Sequence, residues 1–573
     1  MNYELIKPIN ASLTPTEQIL TSRGIPLKEI RHYMSTTDAD IIPTSQLANL
    51  REGATMLVKH LLYGRIHVQV DSDCDGFTSA AVLINYLHKL GESIPSSRIT
   101  YALHPDKSHG IDLAKIPSGT TLVVCPDSSS NEFEKHKILR ERGIEVLVLD
   151  HHHADRISAD ACIINNQTCD YPNKSLSGVG VVFKFCQFLD ELMNTAHAYS
   201  LLDLVALGEI ADVMDLRNFE TIHLIRKGLK QIRNPFISEM VAKNKAKLGD
   251  NLTPIGIAFY VAPYVNAVTR VGTDEEKLIL FEAMLEHTAY QLIPSTKRGC
   301  KGEYELLVTQ AVRNCTNIKN RQTKLRDNDL EIIEELIKVQ NLLDNKILLI
   351  TPNEMLDRNL CGLIANELTA KYQIPTLVLN NYGDYFEGSG RNFENSPLED
   401  FREFCEKGPG VEFAAGHPNA FGFHVAADRI EDFLDYANTS LDNMDFTPCY
   451  KVDYIYTVQD MRVSDIYEIA GLEPLWGQGV QESKIVIKNV HVTSDNLVLM
   501  GSLRNTLKIT LPNGVACIKF KSSEEEFEQL FSESGCVIID LVGTCSLNKY
   551  NGSITPQIQI ESYEIISKQK YYF

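Results

Sequence analysis

The pattern of apolar positions changes three times along the chain. From Gly64 to about Leu229, short apolar runs alternate with longer segments of helical period. Val68-Gln69-Val70, Tyr101-Ala102-Leu103, Thr121 to Cys125 and Ile144 to Leu149 read as buried strands, and Phe77 to Leu90 and Leu201 to Val213 as helices. That alternation predicts a parallel sheet covered by helices. Before it, residues up to Tyr63 read as polar and helical, with a Pro-marked start at Thr14-Pro15-Thr16-Glu17 and a helix from Ser45 to Leu62 packed on the sheet. Lys230 to Asp344 reads as helical throughout. Lys346 to Ile350 opens a second α/β unit, with a helix Gly362 to Lys371 and a strand Thr376 to Leu379. From about Tyr450 the pattern turns to short strands: Lys484 to Ile487, Leu497 to Gly501, Leu507 to Leu511, Val537 to Val542 and Gln557 to Glu561. Evenly spaced short strands predict a small β-barrel. The expected fold is multidomain α/β, divided at 1–63, 64–229, 230–344, 345–445 and 450–573.

Three of the strands end in acid. Val70 is followed by Asp71-Ser72-Asp73-Cys74-Asp75, and Gly76 then permits a sharp turn into the next helix. Cys125-Pro126 leads to Asp127 and a polar Ser128-Ser129-Ser130 loop. Leu149 leads to Asp150-His151-His152-His153. In a parallel sheet these ends lie along one edge, so residues far apart in sequence converge. The helix Leu201 to Val213 adds Glu209 and Asp212. Buried carboxylates this close repel one another, and cations relieve that cost. The economical reading is a divalent metal site at the carboxyl edge of the sheet. Strand alternation would turn Cys74 to the opposite face from its acidic neighbours.

A chain of 573 residues is too long for one core, and 44% hydrophobic with 23% charged residues describes an ordinary globular protein of three or four domains. No apolar run spans a bilayer, and Met1-Asn2-Tyr3-Glu4 lacks a signal pattern, so a cytoplasmic protein is expected. The 13 cysteines include no CxxC pair, which argues for reduced thiols and against zinc modules or disulfides. A formal charge of −20 speaks against nucleic acid when taken alone. That objection weakens if the acids concentrate in a metal site while cations cluster elsewhere. Lys243, Lys245 and Lys247 read as a solvated helix face; Lys319, Arg321, Lys324 and Arg326 fit that reading and phosphate contact equally well.

Together the acidic segments resemble the DHH phosphoesterase superfamily. They match its first motif (Asp71, Asp73, Asp75, Gly76), its lone-Asp second (Asp127), its name-giving third (Asp150-His151-His152) and its fourth (Ala206-Leu207-Gly208-Glu209-Ile210-Ala211-Asp212), in order. Downstream, Leu176 to Lys184, Ala262 to Arg270, Gly388-Ser389-Gly390-Arg391-Asn392, Ala415 to Gly422, Leu472 to Gly479 and Asn548 to Gly552 resemble segments of RecJ nucleases, so the likeness covers nearly everything after residue 50. It implies a DHH domain, a DHH-associated domain and an oligonucleotide-binding barrel, with single-strand-specific 5′→3′ DNA exonuclease activity.

The resemblance also implies roles. Two ions, Mn²⁺ or Mg²⁺, would be shared by Asp127, with Asp73 and Asp71 on one and Asp75, His151 and Asp212 on the other; a carboxylate that merely orients water fits Asp71 equally well. Asp150 would orient an imidazole, and His152 would meet the scissile phosphate. Arg391, Ser389, Asn266 and Arg270 would hold the 5′ phosphate and nearby backbone, with His417 beside them. The glycines at 388 and 390 would let backbone amides approach that phosphate. Lys519, Lys521, Lys549 and Tyr550 are barrel candidates for the strand. The chain departs from RecJ at Glu209, which either holds a metal-associated water or faces solvent, at Ser128-Ser129-Ser130, and near Lys107, where RecJ places an arginine. His153 has no role to carry over. A single strand with a 5′ end is the expected partner, with a helicase or single-strand-binding protein supplying it to a monomer. The competing readings are a DHH enzyme of small substrates and a non-catalytic replication or repair scaffold.

Overall fold

The computed structural model describes residues 1–91, 98–105, 108–532, 535–550 and 552–570. Lys107 lies outside them, as does the side chain of Tyr550.

The alternating strands form a parallel sheet in the order Ile99–Leu103, Ile66–Val70, Leu122–Pro126, Glu145–Asp150, Cys162–Asn165. Its strands are continuous apolar runs because both faces are covered. Val68, Val124 and Leu147 pack with helices Leu50–Tyr63, Cys74–Lys89 and Gly178–Met193 on one face. Val123, Val146 and Val148 pack with Leu139 and Ile111 on the other.

Several boundaries differ from the sequence pattern for identifiable reasons. The helix after the first acidic strand starts at Cys74 rather than Phe77, because Asp73 caps it: its Oδ1 accepts from the Gly76 amide at 3.0 Å. Cys74 is therefore a buried helix residue and not part of an alternating strand. The expected helix from Ser45 begins at Leu50, since Asn49 takes a left-handed conformation (φ 63°) after the single turn Thr44–Gln46. The N-terminal segment is not wholly helical. Its strand Asn2–Leu5 pairs in parallel with Cys449–Val452, some 450 residues away, and Arg23 forms a buried bidentate pair with Asp453 at 2.8 and 2.9 Å. The N-terminus thus ties the C-terminal unit to the first sheet.

The connector is helical apart from one hairpin, Leu292–Pro294 with Tyr304–Leu306. Its helix Leu307–Val339 has 33 residues and a length of about 50 Å. Leu307, Val312 and Cys315 sit in the first core; Ile333 and Ile337 sit in a second core with Ile350 and Leu368. One rigid element therefore sets the spacing between the two α/β units. The second sheet runs Val411–His417, Ala420–Ala426, Tyr385–Arg391, Thr376–Asn381, Leu348–Ile350, antiparallel except for its last pair. The Gly388 to Arg391 stretch is strand, not a phosphate-cradling turn. A Cβ on Gly388 would lie 2.0 Å from the Val378 carbonyl oxygen, and one on Gly390 would lie 2.5 Å from the Phe421 ring, so both glycines serve sheet packing.

The C-terminal unit is a seven-stranded sheet. Its strands are not all short: Gly535–Tyr550 and Ser553–Lys570 form one hairpin of 16- and 18-residue strands. Two of the expected short strands are pieces of it.

Candidate active site

The carboxyl edge of the first sheet gathers the acids as strand polarity requires. Asp71 to Asp75 follow Ile66–Val70, Asp127 follows Leu122–Pro126, Asp150 closes Glu145–Asp150, and Asp212 caps the helix Leu202–Ala211. Three overlapping sets have ligand atoms within 4.8 Å of one another: Asp71, Asp73 and Asp127; Asp75, His151 and Asp212; and Asp127, His151 and His152.

The donor chemistry fits divalent cations. His151 Nε2 lies 3.3 Å from Asp127 Oδ1 and 3.4 Å from Asp212 Oδ2. The Asp127 oxygen and the His151 nitrogen are buried and find no hydrogen-bond partner among the described residues. Burial first, then His152, pushes the His151 imidazole down to about 4, so it is neutral and offers a lone pair. Burial and neighbouring carboxylates push Asp75 up to about 7, Asp212 to about 8 and Asp127 well above the ordinary range. Burial also raises Asp73, with Asp71 adding to it. Such a cluster is costly without positive charge inside it.

The surroundings fix these groups. Asp75 accepts from the Gly178 and Val179 amides at 2.7 and 3.2 Å and from the Ser177 hydroxyl at 3.2 Å, so the start of helix Gly178–Met193 grips it. Asp127 has positive φ (65°), as does Ser129 (85°), and Ser130 donates its amide to Asp150 at 3.0 Å. The serine loop therefore makes its sharp turn without glycine. Asp150 also accepts from the His151 and His152 amides and from His152 Nδ1 at 2.8 Å. Burial alone would raise the Asp150 carboxyl, but these bonds hold it well below the carboxylate range. His152 and His153 are exposed.

Residues 65–209 match the DHH family, N-terminal domain, and residues 452–562 match the RecJ OB domain. A putative prophage-derived single-strand DNA-specific exonuclease of Bacillus subtilis is 33% identical over 100% of this chain and 99% of its own length. The chain belongs to the RecJ-like branch of the DHH family. The single-stranded-DNA-specific exonuclease RecJ of Bacillus subtilis is 26% identical over 97% of this chain and 68% of its own. A crystal structure of RecJ in complex with Mn²⁺ from Thermus thermophilus shares the fold, with TM-score 0.71, 18% identity, and coverage of 98% of this chain and 79% of that one. Its Mg²⁺ counterpart gives TM-score 0.66. The RecJ-like chain is accordingly a nuclease enzyme.

On the far side, the second sheet presents cations to this edge. Burial, then Arg270, pushes the Arg391 guanidinium down to about 10; burial also lowers Arg270, against the pull of Asp73. Arg270 thus feels both the acidic centre and a second guanidinium. Ser389 shares the lining of one cleft with Arg270. Asn266 is half-buried on the same helix as Arg270, Ala262–Val271, and His417 is exposed at a strand end. Among the other cations, Lys519 pairs with Glu526, Arg326 with Asp327 and Lys245 with Asp250, so these are already occupied.

Two features escape the sequence pattern. His109, in a loop with no motif, places Nδ1 2.7 Å from Asp71 Oδ2, while the Gly110 amide donates to Asp71 Oδ1. Glu209 does not face solvent: it is fully buried, accepts from the Ser177 amide at 3.3 Å and is raised well above its ordinary range by burial and Asp75. Its place on a helix with no polar face, in Leu202–Ala211, was the available signal.

Proposed function

We propose that this RecJ-like chain is a divalent-metal-dependent exonuclease that degrades single-stranded DNA from its 5′ end and releases 5′-mononucleotides. The observation that carries this is the pair of buried ligand atoms without a hydrogen-bond partner among the described residues, Asp127 Oδ1 and His151 Nε2, at the centre of three overlapping donor sets. Names of the relatives that match along the chain supply the substrate class.

In this reading Asp127 would be shared by two ions, with Asp73 and Asp71 holding one and Asp75, His151 and Asp212 the other, and Mn²⁺ or Mg²⁺ suits such oxygen-rich ligands. Bound there, such ions would supply charge neutralisation of the phosphate and activation of the attacking water near neutral pH. His152, kept upright by Asp150, donates a proton to the leaving 3′ oxygen. Arg391, Ser389, Arg270 and Asn266 hold the 5′ phosphate, and His417 lies beside the backbone. Clamping the end at a fixed distance from the acidic centre selects the first internucleotide bond. The division at residues 64–229, 345–445 and 450–573 belongs to the same reading. So do a repair or recombination role in the cytoplasm and a helicase or single-strand-binding protein that supplies unwound strand to a monomer.

The test is a time course on internally labelled, 5′-phosphorylated single-stranded DNA with Mn²⁺, with EDTA, and with Asp127→Ala. Mononucleotides should appear progressively from the 5′ end only with metal and intact Asp127. Cleavage of a dinucleotide but not of the long strand would sink the exonuclease reading in favour of a small-substrate enzyme.

A further inference from the structure

The cleft beside the cation clamp is larger than a phosphate requires. It holds about 780 Å³ and extends from Arg270 and Ser389 to Phe413, within the size range of sites that enclose whole small molecules.

Strand register explains its shape. Across three neighbouring strands, Arg391, Ala420 and His417 are aligned; the next row on that face is Ser389, Gly422 and Ala415; the next is Glu387, His424 and Phe413. The face therefore runs from the Arg391 row, over a floor of small residues, to the Phe413 ring and the Glu387 carboxylate, which pairs with Arg358. Phe413 is 43% exposed, unusual for so large an apolar ring. Its ring is held edge-on by His424 at 5.3 Å, and His424 packs on Tyr385 at 4.3 Å. Asp357, Arg358 and Asn359, at the start of the 15-residue helix Arg358–Tyr372, also line the cleft; Asp357 caps that helix on the Asn359 amide and Arg358 pairs with Glu387, so the acids on this side are already satisfied.

We propose that this cleft is a subsite for a nucleoside joined to the 5′ phosphate of the strand through a pyrophosphate bond, the chemistry of an adenylylated or dinucleotide-capped end. The proposal rests on the exonuclease reading above. Arg270 and Ser389 line the cleft and none of Asp71, Asp73, Asp75, Asp127 or Asp212 does, so a 5′ phosphate held there has the acidic centre outside the cleft. The group attached to it is directed the other way, onto the small-residue floor. A base lying on that floor meets the Phe413 ring, and base–aromatic stacking is indifferent to sequence. The second phosphate meets Arg270. Hydrolysis stays at the first internucleotide bond: water adds to that phosphorus, and the 3′ oxygen of the first nucleotide leaves with a proton. The first nucleotide departs with its pyrophosphate-linked nucleoside intact, and the shortened strand carries a 5′ phosphate.

The test uses strands of one sequence carrying a 5′ phosphate, a 5′ triphosphate or a 5′ adenylyl group, incubated in Mn²⁺ with wild type, Phe413→Ala and Phe413→Trp. Wild type should degrade the adenylylated strand and release the pyrophosphate-linked dinucleoside first. Phe413→Ala should slow that strand at least tenfold while the 5′-phosphorylated strand is unaffected, and Phe413→Trp should restore it. An adenylylated strand left intact by wild type overturns the subsite. So does Phe413→Ala slowing all three strands alike, slowing none, or slowing the triphosphate strand as much as the adenylylated one. Wild type inert on the 5′-phosphorylated strand overturns the exonuclease reading, and the subsite with it.

Discussion

His152 Nδ1 lies 2.8 Å from Asp150 Oδ1, and the imidazole is exposed while the carboxylate is buried. The buried partner acts on the exposed one: the Asp150 hydrogen bond outweighs burial and raises His152 to about 9. A group raised in the fold keeps its proton, and the stability that goes with it, below the ordinary value near 6.5, and loses both as pH rises through about 9.

Activity that needs the His152 proton should therefore fall above about pH 9. Asp150→Asn removes the charge and should move that alkaline limb down towards roughly 6.5. At pH 8 the variant should lose roughly 30-fold in kcat, the fall in the protonated fraction of His152 between a limb at about 9 and one at roughly 6.5. A pH–rate profile of both proteins decides this; an unmoved limb would show that the pair only shapes the loop.

The acidic centre makes a separate prediction about metal and pH. Asp75 at about 7 and Asp212 at about 8 hold protons in the metal-free fold that the unfolded chain has already released. Metal-free stability should consequently fall as pH rises from about 4 to 8. Divalent ions take the place of those protons, so their stabilising effect should grow over the same range. At a free concentration a hundred times Kd the gain is about 2.7 kcal/mol. Thermal melts at pH 6 and pH 8, with Mn²⁺ and with EDTA, should give the larger shift at pH 8. An equal shift would mean that the carboxylates are ionised without metal.

The centre was legible in the sequence because strand polarity does the gathering: the acids that follow three of the parallel strands must reach the same edge, however far apart the motifs lie. What the sequence hid depends on contacts that no local pattern encodes. His109 belongs to no motif, and only the return of its loop over Ile66–Val70 brings it to Asp71. Glu209 looks like a solvent-facing helix residue until helix Gly178–Met193 closes over it; a Cβ on Gly180 would come 2.2 Å from its Oε1. The strand Asn2–Leu5 is too short and too polar to announce itself, and is made a strand by a partner at Cys449–Val452. Conversely, Gly388 and Gly390 suggested backbone amides open to a phosphate, although their absent side chains make room within a sheet.

The clamp predicts a dependence on the 5′ end. Arg270 and Arg391 repel each other in a half-buried place, and an anion between them relieves that repulsion. Charge-assisted hydrogen bonds of this kind are worth about 1.5–3 kcal/mol. Arg391→Ala should raise KM for a 5′-phosphorylated strand by roughly ten- to a hundredfold and change KM for a 5′-hydroxyl strand little. Equal losses on both strands would move Arg391 from the end of the strand to its backbone.

Gly178 predicts how little room the centre has. A Cβ there would lie 2.3 Å from Asp127 Oδ1 and 2.5 Å from Asp127 Cβ, and the Gly178 amide is also the donor 2.7 Å from Asp75 Oδ2. One added methyl group would thus displace a proposed shared ligand and loosen the grip on a second. Since Gly178 is the first residue of its helix, alanine suits that backbone and leaves the rest of the helix intact. Gly178→Ala should keep the fold, as judged by its melt in EDTA, yet weaken Mn²⁺ binding at least tenfold by calorimetry and lower nuclease activity in step. Normal Mn²⁺ affinity with lost activity would place Gly178 against the substrate instead.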